Sequence, residues 1–355
     1  MTTRSVLLVG SMPFDNEEAC MRRALTALGP RLFSLPDGEV GEKTPVFPKG
    51  LRSSWVNLAF EKMTADTENW RVVREPVRGA DGMPADYNSF QHLEALHPLE
   101  EMADRVEFGY DGYFRESYEI FKQLRQEYDL PGLKFQMGIP TGSALGFVFA
   151  SPQEGMRYRE MFNTVLAREA NAALQAVGDD VLIQIEVPPE LFAAYHFPDM
   201  IDLLALAPIY DLLSKIEAGA QIGIHLCLGD FHNQALNHVD SLTPMVDFSN
   251  RLVDGWPEQH RLQYIHYPLA EGAVPPTLDP AYYAPLEGVH LPEGGRFIAG
   301  FVHEKHTLAD NQALLNTIET ARGEPVDVAC SCGLGRRTPA AAEQLLDYMA
   351  QLAVA

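Results

Sequence analysis

The sequence predicts an α/β fold, a (β/α)8 TIM barrel with an inserted segment after the second strand. Three observations predict it. Short β-rich apolar runs recur eight times along the 355 residues, most of them followed by a helical pattern. The runs are nearly continuous in apolar residues, as strands of a parallel sheet covered on both faces must be. Polar residues gather where these runs end, and barrels of this kind carry their chemistry at the C-terminal ends of the strands. Residues 1–355 therefore read as one barrel domain.

In order, SVLLVGS (5–11) precedes the amphipathic EEACMRRALTALG (17–29), and RLFSLPDG (31–38) is the second run. The segment from about 40 to 110, rich in Pro, Gly, Arg and Glu, is too long for a βα loop and reads as a lid-like insertion over the barrel mouth. LKFQMGIPTG (133–142) precedes a long helix near 152–177, and VLIQIEVPP (181–189) a helix near 199–218. IGIHLCLGD (222–230) leads to a helix near 240–254, and LQYIHYPL (262–269) to the less regular AYYAPLEG. RFIAGFVHE (296–304) is followed by 307–322, and VDVACSCGLG (326–335) by TPAAAEQLLDYMAQLA, where Thr338 caps and Pro339 suits the first helical position. "VGSMPF" offers one glycine in place of G-x-G-x-x-G, which speaks against dinucleotide binding.

A formal net charge of −22 disfavours nucleic acid or an anionic membrane surface as a partner and leaves small molecules as the expected ligands. No apolar run approaches the roughly 20 residues of a membrane span. The N-terminal apolar run is too short for a signal peptide, so a cytoplasmic location is expected. Four cysteines in such a chain read as free thiols or metal ligands rather than a disulfide framework.

The predicted strand ends read Ser11, Asp37 and Glu39, Thr141, Glu186, His225 with Cys227, His266, His303, and Cys330 with Cys332. Residues two apart share a face of a strand, so His225 and Cys227 can both point at the barrel axis, as can Cys330 and Cys332. Closure would bring the fifth and eighth strands onto one ion, and an imidazole with two thiolates is a zinc-like set. A cysteine on a buried strand is also an ordinary small core residue, and for Cys330 both readings stand; Cys20 reads as packing. Glu186 within "IQIEVPP" points to function, because a buried carboxylate without a partner is costly. Asp37 and Glu39 either bind substrate or form a turn with Gly38 and Gly41. Arg336 and Arg337 either clamp an anionic group or lie in solvent.

Together these segments resemble, over most of the chain and in order, the catalytic C-terminal barrel of cobalamin-independent methionine synthase, in the wider barrel group that includes uroporphyrinogen decarboxylase. "VGSMP" resembles the family's first-strand substrate motif, which implies a substrate-binding role for Ser11. "IQIEVPP" resembles "QIDEP", which puts Glu186 where the family binds the substrate amino group. "HLCLGDF" and "CSCGLGRR" resemble its zinc-binding segments, which implies Zn²⁺ on His225, Cys227 and Cys332. "GFVH" implies that His303 relays a proton. The family's zinc site adds a glutamate at the end of the sixth strand, where this sequence has "YIHYPL"; His266, Cys330, water or substrate then complete the set. The resemblance covers the catalytic half of the synthase alone, and "LPDGEVGE" departs from it.

The function expected is a zinc-dependent methyltransferase-like enzyme that activates a thiol or similar nucleophile. His303 and Glu186 would be catalytic, Ser11, Asp37, Glu39 and Arg336 would bind substrate, and a reduced folate is a candidate methyl donor. The alternatives are a metal-free lyase or decarboxylase, with Asp37, Glu39, Arg336 and Arg337 handling an anion, and a zinc hydrolase.

Overall fold

A computed structural model describes residues 4–53, 55–229, 231–236 and 238–354. β1 (Val6–Leu7) and β2 (Leu35–Pro36) come first, then an antiparallel pair, β3 (Trp70–Arg74) and β4 (His92–Ala95). β5 (Phe135–Pro140), β6 (Val181–Glu186), β7 (Gln221–His225), β8 (Arg261–Pro268), β9 (Arg296–Gly300) and β10 (Asp327–Ala329) follow. All except β3 and β4 form one parallel sheet in the order β1-β10-β9-β8-β7-β6-β5-β2. Its two edges meet, because Val6 bridges Leu32 just ahead of β2 and the Phe33 N–H donates to the Val6 carbonyl at 2.9 Å. The sheet closes into the expected eight-stranded barrel, which leaves no free edge.

Alternation along each strand divides the core. Val6, Ile183, Ile185, Ile222, Ile224, Ile265 and Val328 face outward into the main apolar cluster, shared with helices such as Glu17–Leu28, Pro152–Val177 and Pro339–Leu352. The helices begin where the sequence supplies caps. Asn16, Ser151 and Thr338 each accept from a backbone N–H of the first turn, and Thr307 forms a reciprocal box with Asp310.

The barrel interior is more polar than branched apolar packing would make it. Leu7, Leu182, Tyr264, Ile298 and Ala329 form an inner cluster. Beside it the Gln136 amide donates to the Leu8 and Val9 carbonyls at 3.0 and 2.8 Å, and Ser34 donates to Gln136 Oε1 at 2.5 Å. Gln184 donates to the Val9 carbonyl at 2.7 Å and accepts from the Tyr264 hydroxyl at 2.8 Å. The Tyr264 ring reaches Gln184 only because residue 223 is glycine; a β carbon there would lie 2.1 Å from Tyr264 Cζ.

Two expectations are corrected by proline. β6 stops at Glu186, short of 189, because Pro188 and Pro189 open a helix, Pro188–His196. The single helix expected near 199–218 is divided into Pro198–Met200, a wide turn at Asp202–Leu206, and Ala207–Lys215 with Pro208 in its first turn. Within 40–110 lie the helix Trp55–Ala65, the β3–β4 pair and the helix Leu99–Arg105; Tyr110–Glu127 then packs against the barrel helices.

Asp37, one of the residues expected to bind substrate, ties this segment to the barrel. Arg52 Nη1 lies 2.7 Å from Asp37 Oδ2, Ser117 donates to the same oxygen at 2.7 Å, and the Glu39 N–H donates to Oδ1 at 2.9 Å. Burial alone would raise this carboxyl, but Arg52 and these donors outweigh it and hold it below its usual range. Its stabilising contribution is therefore present above the unfolded carboxyl's pKa and is lost as pH falls through the lower folded value. Arg52→Met, which strands a buried carboxylate, is expected to lower stability at neutral pH by about 3–5 kcal/mol in chemical denaturation. The deficit should shrink in acid, as the pH falls below the ordinary carboxyl range and then through the lower folded value of Asp37.

Candidate active site at the barrel mouth

The register of three adjacent strands sets the site. Glu186 on β6 pairs with His225 on β7, and His225 pairs with His266 on β8, so the three share one layer of the barrel interior. All three are buried. His266 finds room for its ring because residue 300, on the next strand, is glycine; a β carbon there would lie 2.5 Å from His266 Nε2.

The two imidazoles form a directed chain. His266 Nε2 lies 3.0 Å from the Cys330 carbonyl oxygen, and a carbonyl only accepts, so the proton of His266 sits on Nε2. Burial pushes the His266 pKa down to about 3, so the ring is neutral and its Nδ1 is an acceptor. His225 Nδ1 lies 2.7 Å from that nitrogen and must therefore carry the hydrogen. Burial, His266 and Arg336 together hold His225 well below the ordinary imidazole range, so it is neutral as well. Its proton being on Nδ1, its Nε2 bears a bare lone pair, and that atom is buried with no hydrogen-bond partner.

The lone pair has company. One donor atom each from His225, Cys227 and Cys332 lie within 4.8 Å of one another, and all three residues are buried. The two sulfurs are 3.9 Å apart, and both cysteines are free thiols. The Gly229 N–H donates to Cys227 Sγ at 3.3 Å. Among the described residues this is the cluster able to hold a metal ion, and the donors fit a soft divalent ion.

His266, expected as a fourth ligand, falls outside this cluster. Both its nitrogens are engaged, one by His225 and one by the Cys330 carbonyl, so it orients His225. Cys330 is also excluded. Its sulfur packs 3.9 Å from Met349 Sδ, on the outer face toward the last helix, and burial pushes its pKa up to about 12. Cys330 and Cys332 do not share a face because β10 ends at Ala329 and alternation lapses beyond it.

Around the cluster, Arg336 Nη1 donates to Ser11 Oγ at 3.1 Å, which joins the segments that follow β1 and β10. Glu39 and Glu186 converge: a β carbon on Gly138 would lie 3.2 Å from Glu39 Oε1 and 3.7 Å from Glu186 Oε1. Gln184 donates to Glu186 Oε1 at 2.9 Å. His303 is buried and held by backbone on both sides, Nε2 to the Gly272 carbonyl at 3.2 Å and Nδ1 accepting from the Lys305 N–H at 3.1 Å. That engagement braces the loop that carries His303. Arg337 is bound to Glu304 at 3.1–3.2 Å and to the Gly272 carbonyl, so it supports the same loop.

The sequence reading passed over Gln184, Tyr264 and the aromatic residues of the insertion. Gln184 lies two before Glu186 and Tyr264 two before His266, so the spacing that singled out the later residues also placed the earlier ones inside. Beyond Cys227 and Arg336 opens a cleft walled by Phe60, Tyr87, Phe90, Phe147 and Phe231.

No family profile matches this chain, and no curated protein does. Among solved structures it is similar to a B12-independent methionine synthase from Shewanella sp. W3-18-1 in complex with selenomethionine, with a TM-score of 0.60. The alignment covers 99% of this chain and 97% of that one at 12% identity. The two chains share a fold. A putative vitamin-B12-independent methionine synthase from Listeria monocytogenes aligns over 98% and 96% of the chains at 12% identity, with a TM-score of 0.43. No described helix is long and apolar enough to cross a membrane.

His266→Phe keeps the ring's bulk but removes the acceptor that fixes the His225 tautomer. It is expected to weaken metal binding by about 10–100-fold in chelator competition, whereas Cys330→Ala should leave it unchanged.

Proposed function

We propose that this protein is a zinc-dependent enzyme of the methyl-transfer class in which His225, Cys227 and Cys332 hold the ion and a substrate thiol is the nucleophile. The observation that carries this reading is His225, whose Nε2 is buried without a hydrogen-bond partner and whose ring offers a donor nitrogen within 4.8 Å of two thiol sulfurs. Three protein ligands of this softness are what a catalytic zinc site uses, its fourth position being left to water or substrate. When bound, the ion supplies a Lewis acid that keeps its sulfur ligands deprotonated and lowers the pKa of an arriving thiol. The Shewanella protein is described as a B12-independent methionine synthase holding selenomethionine, and the same class of acceptor, an amino acid bearing sulfur, suits the groups here.

The chain's own residues bind and orient. Glu186, its carboxylate steadied by Gln184, faces the substrate ammonium together with Glu39. Arg336, aligned by Ser11, takes the substrate carboxylate, where a charge-assisted bond is strong. The methyl donor, for which a reduced folate is one carrier, lies in the aromatic cleft under the 40–110 segment, which acts as a lid. Apolar walls keep water from the transferring group, and fixed placement of donor and acceptor supplies much of the rate. A metal-free lyase would leave His225 Nε2 buried with nothing to bond.

Elemental analysis of the purified protein is expected to find about one zinc per chain, and Cys227→Ser or Cys332→Ser should each lose most of it. Wild-type protein that cannot hold stoichiometric zinc would end this reading. In the cobalt-loaded protein a thiol amino acid should strengthen the sulfur-to-metal absorption, and serine should not. Indifference to thiols would favour the hydrolase.

A further inference from the structure

We infer that Cys227 and Cys332 form a redox-reactive pair, which hydrogen peroxide closes into a reversible disulfide when no ion is bound. Their sulfurs lie 3.9 Å apart. A disulfide bond is about 2.05 Å long, so closure asks for an approach of about 2 Å. Neither cysteine is fixed in a strand. β7 ends at His225 and β10 at Ala329, so both thiols sit on irregular backbone just past the last paired residues. Val9 is the remaining member of their small buried cluster. The other two thiols face elsewhere: Cys330 lies outward, 3.9 Å from Met349 Sδ, and Cys20 donates to the Met12 carbonyl at 3.8 Å. One pairing is therefore open to the chain.

Access sets the order of events. Cys227 lines the cleft at the barrel mouth and Cys332 does not, so an oxidant meets Cys227 first. The cleft has about 70 Å³ of free space, room for a molecule little larger than water. The Cys227 sulfur attacks one peroxide oxygen; an S–O bond forms, the O–O bond breaks, and the departing hydroxide takes the thiol proton as water. The Cys332 sulfur then attacks Cys227; the S–S bond forms, the S–O bond breaks, and a second water carries off the Cys332 proton. Two thiols have given up two electrons, and the peroxide has become two waters. A disulfide offers no thiolate, so the closed pair leaves His225 alone and the ion is not held. Protection by zinc rests on the function proposed above; the disulfide itself does not.

The test treats metal-stripped protein with hydrogen peroxide, with and without added zinc, and reads intact mass and peptide maps. Without zinc the wild type is expected to lose two hydrogens per chain at a single Cys227–Cys332 crosslink, reversed by dithiothreitol. Cys330→Ala should close in the same way. Cys332→Ser, which lacks the second thiol, should leave Cys227 as a sulfenic acid that dimedone captures, and Cys227→Ser should leave Cys332 unlabelled. Oxygen added at Cys227 of the wild type without a crosslink, or a crosslink through Cys330, overturns the inference. Zinc at about a hundred times its dissociation constant should slow closure about a hundredfold. A crosslink that forms equally fast with zinc present would sink the proposed function and leave the pair standing. One zinc per chain in a protein whose stripped form never closes would do the reverse.

Discussion

A single hydrogen bond between two buried imidazoles, His225 Nδ1–H to His266 Nδ1, is what the site depends on. Its direction is imposed from outside, by a backbone carbonyl at residue 330 that can only accept. The barrel thereby decides which nitrogen of His225 is bare, and decides it on an element distant in sequence from either histidine. Neutral rings in this chain also avoid the heavy cost of burying a charge. The same backbone that supplies the carbonyl turns a few ångströms later to present Cys332 to Cys227, so tautomer and sulfurs are set by one loop.

Much of this was legible in the sequence. Near-continuous apolar runs separated by helical periodicity are the direct imprint of a parallel sheet covered on both faces, and they located all eight barrel strands. The H-x-C on one strand and the cysteine after another were legible because alternation and closure are fixed by covalent geometry. Parity misled where strands end. Cys330 and Cys332 are two apart, yet β10 has already finished, and they face opposite sides. Prolines 188 and 189 ended β6 three residues early for the same kind of reason, a local rule overriding a pattern.

Partners across the fold were not legible. Asp37 reads identically in sequence whether it awaits a substrate or an arginine 15 residues on, and only the folded insertion brings Arg52 to it. His303 and Arg337 are held by the Gly272 carbonyl and Glu304, contacts that no spacing rule foretells. His266 moved from ligand to orienter because its ring nitrogens were claimed from both sides. The polar interior has a related logic. Gln136, Gln184 and Tyr264 satisfy one another and the Leu8 and Val9 carbonyls just past β1, which lets a dry barrel carry Glu186 at the level of the histidines.

The tautomer of His225 is the claim on which the account stands, and nitrogen-15 NMR of histidine-labelled, metal-stripped protein reads it directly. The account predicts a proton on Nδ1 of His225 with a bare Nε2, and a proton on Nε2 of His266. A His225 ring found protonated at Nε2, or at both nitrogens near neutral pH, would contradict it.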